Sequence, residues 1–242
     1  MANSYGPKGI VTDGLIFSAD AGNAQCYTSG SSTATNLINS SITGSIVNAD
    51  GGEFYSSNAG GCWDLDGTDD YVEFSQQSFL ESQTNLSISC WVNTDTTSAN
   101  KSVFGASVVS AGYLWIGTYY SSGDRLWVEY NNGGAKNAYL FNCSTFITLN
   151  NWHNITVVFD ASESGGANQV KLYIDGIPQS FSATPSTFSS TASTLNSLRL
   201  GGDHVYTAEW DGKYGPTMVY NRSLTESEVS QNYNSQKSRF GL

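Results

Sequence analysis

The sequence predicts an all-β protein, an antiparallel two-sheet jelly-roll sandwich with one short C-terminal helix. Three observations predict it. Short apolar runs alternate with polar residues at period two along much of the chain. Clusters of Gly, Ser, Asn and Asp separate those runs, as turns between strands require. A single capped helical segment comes late.

The elements follow in order. Apolar alternation predicts strands at 14–19, 62–66 and 70–74. Leu86, Ile88, Cys90 and Val92 alternate with Ser87, Ser89, Trp91 and Asn93, giving a strand with one apolar face. Further strands are expected at 102–107, 113–119 and 125–130. Ile155, Val157 and Phe159 form the next run, and Val170, Leu172 and Ile174 the one after. Asp175-Gly176 then reads as a tight hairpin turn into Ile177. Leu198 and Leu200 flank Arg199, and a last strand is expected at 214–220. Thr225-Glu-Ser-Glu228 is a capping box, with Leu224 and Val229 spaced as a hydrophobic staple. It predicts a helix over 225–236. Residues 21–61 and 182–195 read as loops, rich in Gly, Ser, Thr and Asn in the first case and in Ser and Thr in the second. No internal repeat or domain boundary is visible, so a sandwich over 14–242 follows an N-terminal arm at 1–13.

Composition narrows the function. Of 242 residues, 39% are hydrophobic and only 13% charged, which argues against disorder. The net charge of −11 repels a phosphate backbone, so nucleic acid is a poor partner. No apolar stretch approaches the ~18 residues of a membrane helix. The segment Met1–Gly9 is polar and no apolar signal region follows, so synthesis in a cytoplasm is expected. Cys26, Cys62, Cys90 and Cys143 have no zinc-like spacing. They are expected as buried thiols, with a disulfide formed after cell lysis as the lesser reading.

A resemblance adds to this reading. Gly61-Cys-Trp-Asp-Leu-Asp-Gly-Thr-Asp-Asp-Tyr-Val72, Leu86-Ser-Ile-Ser-Cys-Trp-Val92, Trp152-His153 with Val157-Val-Phe-Asp160, Leu172-Tyr-Ile-Asp-Gly176, Leu198-Arg-Leu-Gly-Gly202 with Trp210-Asp-Gly212, and Tyr220-Asn-Arg-Ser-Leu-Thr-Glu-Ser-Glu-Val229 occur in this order. Together they resemble the concanavalin A-like, laminin-G-like and pentraxin-like superfamily over roughly residues 61–235. The ends, Gly14-Leu-Ile-Phe-Ser-Ala-Asp-Ala-Gly-Asn23 and Gln231-Asn-Tyr-Asn-Ser-Gln-Lys-Ser-Arg-Phe-Gly-Leu242, resemble laminin-G-like structural proteins of marine tailed phages. That resemblance implies a virion location, synthesis in a bacterial host cytoplasm, and contacts with other virion proteins. The leading expectation is therefore a non-enzymatic virion component, either capsid decoration or a tail or fibre appendage, and a homo-oligomer is one form it could take. The alternative is an adhesin for host surface glycans, and the third reading a glycan depolymerase.

The site candidates follow. Trp115, Tyr119 and Trp127 lie in neighbouring predicted strands, with Tyr206 and Trp210 in a later loop. Such rings suit a sugar face, or else core packing. Asp66, Asp69 and Asp70, with Asp64, crowd one turn. They read either as calcium ligands or as an Asp-rich turn bonded to its own amides. Pentraxin resemblance adds Asp203, but the other loop of that pattern, near Ser107 to Gly112, has no acid. Cys90 stands at a pentraxin disulfide position, but its partner position, near Ile155, has no Cys. No cofactor is required by the sequence. The β-glucanase relatives use Glu-x-Asp-x-x-Glu, and the nearest approach, Glu209-Trp-Asp211-Gly-Lys-Tyr214, lacks the last acid. His153 and His204 carry no recognisable catalytic motif, and no catalytic residue is expected.

Overall fold

The computed structural model describes residues 8–48, 54–97, 100–108, 112–119, 124–132, 136–206 and 208–242. Its strands are β1 (Leu15–Ala19), β2 (Thr33–Thr35), β3 (Thr43–Val47), β4 (Tyr55–Ser56), β5 (Cys62–Asp66) and β6 (Tyr71–Gln76). Then come β7 (Asn85–Thr94), β8 (Lys101–Gly105), β9 (Gly112–Tyr119), β10 (Arg125–Asn132) and β11 (Lys136–Phe141). The last are β12 (Trp152–Asp160), β13 (Val170–Ile174), β14 (Ile177–Gln179), β15 (Ser197–Leu200) and β16 (Asp211–Tyr220). One helical turn, α1 (Gly166–Gln169), precedes β13, and α2 (Glu226–Gln236) follows β16.

The strands form two antiparallel sheets. Sheet one runs β14-β13-β12-β7-β16-β5-β4. Its strand β16 has β7 along one edge, and β5 then β1 along the other. Sheet two runs β11-β10-β9-β8-β15-β6-β3-β2. The period-two pattern places Phe17, Trp63, Ile88, Phe159 and Leu172 of sheet one against Phe74, Phe104, Leu126 and Leu200 of sheet two, in one buried core.

The helix sits where its cap predicts. The Thr225 hydroxyl accepts from the Glu228 amide, and Glu228 accepts from the Thr225 amide in return. Arg222 pairs with Glu228 at 2.7 Å and holds its carboxyl down to about 2. Leu224 and Val229 are both buried in one cluster with Val11, Met218 and Tyr220 on the outer face of sheet one. Tyr233 and Phe240 cover Trp91, with ring centroids at 5.6 and 4.1 Å. Arg239 closes the segment on Asp20 at 2.6 Å.

The expected arm divides. Residues 1–7 lie outside the described residues. Val11 is buried against α2, its amide donating to Asn232 Oδ1 at 2.7 Å. Gln231 donates to the Gly9 carbonyl at 2.8 Å. Residues 9–11 are thus packed on α2.

The stretch 21–61 differs from the expected loop. It holds β2, β3 and β4, of three, five and two residues. They are short and lack long apolar runs, because they form the sandwich margin. The strand β11 carries no apolar alternation that the sequence made visible. Residues 182–195 form no strand, but Phe188 and Leu195 enter the core, with Phe188 between Tyr130 and Phe159. All four cysteines are buried thiols, and none is in a disulfide. Burial pushes the Cys62 and Cys90 thiols up to about 11.

Candidate functional site

The strands β9 and β10 alternate, which sorts their side chains by face. Leu114, Ile116, Leu126, Val128 and Tyr130 point into the core. Trp115, Gly117 and Tyr119 fall on the outer face, as do Arg125, Trp127 and Glu129. The ladder pairs Tyr119 with Arg125, Gly117 with Trp127, and Trp115 with Glu129. The same row continues through Gly105, Arg199 and Glu73 on β8, β15 and β6.

Two glycines on this face leave room for what lies over them. A Cβ on Gly117 would stand 2.3 Å from the Trp115 ring, so the indole rests over bare backbone. A Cβ on Gly105 would stand 2.6 Å from Asp203 Oδ1. The loop 201–210, in which residue 207 lies outside the described residues, forms a roof here. Ser102 donates its amide to the Ala208 carbonyl at 2.5 Å, and Arg199 donates to the Asp203 carbonyl at 3.0 Å. Asp203 Oδ2 accepts from the Val205 and Tyr206 amides at 2.8 and 3.3 Å. The Tyr206 ring lies 4.9 Å from that of Trp115, and its hydroxyl donates to Glu129. His204 joins the roof to Ser197, whose carbonyl is 2.8 Å from its Nε2. Ser197 and Arg199 both donate to Glu73, at 2.6 and 3.0 Å.

The predicted aromatics therefore separate into two groups. Trp210 is fully buried, and its indole N–H donates to the Asn93 carbonyl at 3.2 Å. It is a core residue, because its strand entry points it between the sheets. Trp115 is 1% exposed and donates to Ser102 Oγ at 2.6 Å under the Tyr206 roof. Neither offers a free face to a sugar. Tyr119 and Trp127 are half-buried, edge to face, with centroids 5.1 Å apart. The Arg125 guanidinium lies 5.6 Å from the Trp127 centroid. Tyr206 is half-buried over Trp115. Glu129 escaped the sequence reading. The signal was present, since it stands two residues from Trp127 on the same strand face.

Glu129 is 5% exposed. Desolvation raises its carboxyl above the ordinary range, the Tyr206 hydrogen bond opposes that, and the nearby Asp203 charge adds to it. A carboxyl raised by folding contributes stability that is complete below its unfolded value and is lost as pH rises through its folded value. Glu129→Gln removes the titrating group while keeping an acceptor for Tyr206. Its melting temperature, relative to that of the parent protein, is expected to rise between pH 4 and 7. A difference that stays flat with pH would contradict the assignment.

The acidic candidates do not converge. One ligand oxygen from each of Asp66, Asp69 and Asp70 lies within 4.8 Å of the others, but Asp203 stands outside that group. Asp203 is held against Gly105 by the roof amides, whereas the turn after β5 sits beside Lys101, whose ammonium donates to the Gly67 carbonyl at 2.8 Å. Asp66 Oδ1 accepts from the Thr68 and Asp69 amides at 2.8 and 3.4 Å. The three carboxylates have the hard-oxygen chemistry of a calcium site, with part of that capacity committed to the turn itself.

The carboxylates weighed for hydrolysis are also constrained. Glu209 is 7% exposed, just before β16, and Asp211 pairs with Asp66 in the ladder. Desolvation raises both carboxyls. His153 Nδ1 meets Asp175 Oδ2 at 2.8 Å, and its Nε2 accepts from the Thr148 amide at 3.1 Å. This ties the start of β12 to the β13–β14 turn, where Asp175 has φ 54°.

The fold and this roofed outer face define a lectin-like β-sandwich. The chain belongs to the concanavalin A-like lectin/glucanases superfamily, whose laminin G-type family model matches residues 66–230. Among solved structures it is similar to domain 4 of AbnA, a GH43 extracellular arabinanase from Geobacillus stearothermophilus, in complex with arabinotriose. That match has a TM-score of 0.61 at 17% identity, over 90% of this chain and 98% of that one. It is also similar to Trypanosoma rangeli sialidase, with a TM-score of 0.64 at 13% identity. There it covers 95% of this chain and only 34% of the sialidase. A sequence comparison with curated proteins finds no match.

Proposed function

We propose that this sandwich is a non-catalytic glycan-binding module that uses the outer face of sheet two, and that it serves on a virion appendage. The Tyr119–Trp127 pair carries the glycan reading. Two half-buried rings set edge to face at 5.1 Å give an apolar wall for a sugar ring, with Arg125 beside it for hydroxyl contacts. The superfamily of lectins and glucanases supports a saccharide ligand, as does the arabinotriose held by the similar AbnA domain. Buried Tyr214 stands where the glucanase pattern needs its last carboxylate, which supports a binding role over hydrolysis. The virion setting is supported by the resemblance of both terminal segments to structural proteins of tailed phages. In that setting the domain is made in the bacterial host cytoplasm, docks on other virion proteins and presents this face to host surface glycans.

The test is a glycan array with the purified domain, run with calcium and again with a chelator. A specific hit is expected, weakened about tenfold or more by Trp127→Ala. Loss of the hit in chelator would assign calcium to the Asp66–Asp70 turn once Asp69→Asn reproduced it. A blank array from folded protein would overturn the glycan reading and leave docking to other virion proteins as the function.

A further inference from the structure

A second feature lies away from that face, where both sheets run out. The margin of sheet one is β4, and that of sheet two is β2. Between them opens a cleft of about 750 Å³. That volume is within the range of roughly 300–1,000 Å³ that small-molecule sites occupy.

Its lining is chemically uniform. Tyr27, Phe54, Tyr55 and Ile46 supply the apolar surface, and Ser29, Ser31, Ser32, Ser56 and Ser57 the polar one. Among the described residues, none of the lining side chains is ionisable near neutral pH, although the chain carries a net charge of −11. Tyr27 is 5% exposed and packs edge-on against Trp63 at 6.0 Å, which fixes the floor. The Tyr55 ring stands 5.8 Å from that of Tyr27 at 38° and forms a half-buried wall. Ser31 and Ser56 are committed to the local turns through Thr33 and Asn58. The hydroxyls of Ser29, Ser32 and Ser57 make no hydrogen bond among the described residues. A Cβ on Gly30 would meet nothing within 4 Å, so the described residues leave the loop tip open.

We infer that this cleft is a second saccharide site, selective for a neutral sugar. An anion would need Lys or Arg here, and a cation would need carboxylates; among the described residues the cleft offers neither. Rings that pack on C–H faces, with hydroxyls that both donate and accept, match a neutral polyol. The inference shares its ligand class with the reading above, and its residues are separate from that site. One domain then holds two sugars at once, and a glycan or surface that engages both is retained by avidity.

Calorimetric titration with the neutral trisaccharides arabinotriose, maltotriose and cellotriose tests it. At least one is expected to fill two sites per chain. Ser57→Trp blocks the exposed rim without touching the floor, and is expected to remove one site. Tyr119→Ala with Trp127→Ala is expected to remove the other, and the triple variant both. Tyr55→Ala is expected to weaken the cleft site about tenfold. Sugar binding that disappears with Tyr119→Ala and Trp127→Ala, and is unchanged by Ser57→Trp, would overturn the cleft and leave the sheet-face reading intact. Binding that disappears with Ser57→Trp alone would uphold the cleft and overturn the sheet-face site. Absence of binding to all three sugars would overturn the cleft.

Discussion

Replacing Trp91 by alanine is expected to lower stability by about 3–5 kcal/mol, the range for removing a fully buried large aromatic. Trp91 lies on β7, on the outer face of sheet one, and is 0% exposed. Its indole stacks with two rings of the C-terminal segment, Tyr233 at 13° and Phe240 at 17°. Its N–H donates to Gln236 Oε1 at 2.7 Å. The substitution removes the surface on which α2 rests, so its effect reaches beyond one cavity. Urea unfolding at fixed pH measures the loss. Trp91→Phe keeps a stacking ring without the hydrogen bond, and is expected to lose less than half as much. Equal losses would mean that the Gln236 bond, and not the stack, holds the helix.

Arg239→Met is expected to destabilise by about 2–3 kcal/mol. The guanidinium makes a two-pronged contact with Asp20, at 2.6 and 2.9 Å. It also donates to the Ala59 and Gly61 carbonyls at 2.5 and 2.6 Å. Two side chains at 26% and 16% exposure are shielded enough for this to exceed a surface pair. A Cβ on Gly22 would stand 2.4 Å from the guanidinium, so the chain is bare where the arginine enters. Arg239→Lys is expected to recover little, because an ammonium cannot reproduce the planar fork. Hydrogen exchange over residues 20–26 and 226–240 should quicken in both variants. Full recovery by lysine would reduce the contact to simple charge.

The sequence made most strands legible where apolar residues alternate with polar or amphipathic ones, even where both faces are covered, as on β7. Leu86 to Val92 and Val170 to Ile174 alternate cleanly, and both are strands. The capping box placed α2 to within a residue. The margins were harder. Strands β2 and β4 have three and two residues, too few for a period to register. The site was legible by face but not by depth. Alternation put Trp115 outward, yet the Tyr206 roof that buries it comes from a loop some ninety residues later. Trp210 failed for the same reason, since exposure is a tertiary property. The Asp203 position followed from resemblance, and its separation from the Asp66 turn depends on which strands the two turns connect.

The order of strands in sheet one bears on how the chain is made. The strand β16 is the last in the sequence, yet it is the one that β1, β5 and β7 all need for a neighbour. Until residues 211–220 emerge from the ribosome, those three strands have open edges and the interior has no seam. The nascent chain must therefore wait, with much of its apolar surface uncovered, for a segment that is made after every strand it joins. A premature stop anywhere before Asp211 should yield an aggregation-prone fragment and not a smaller working domain.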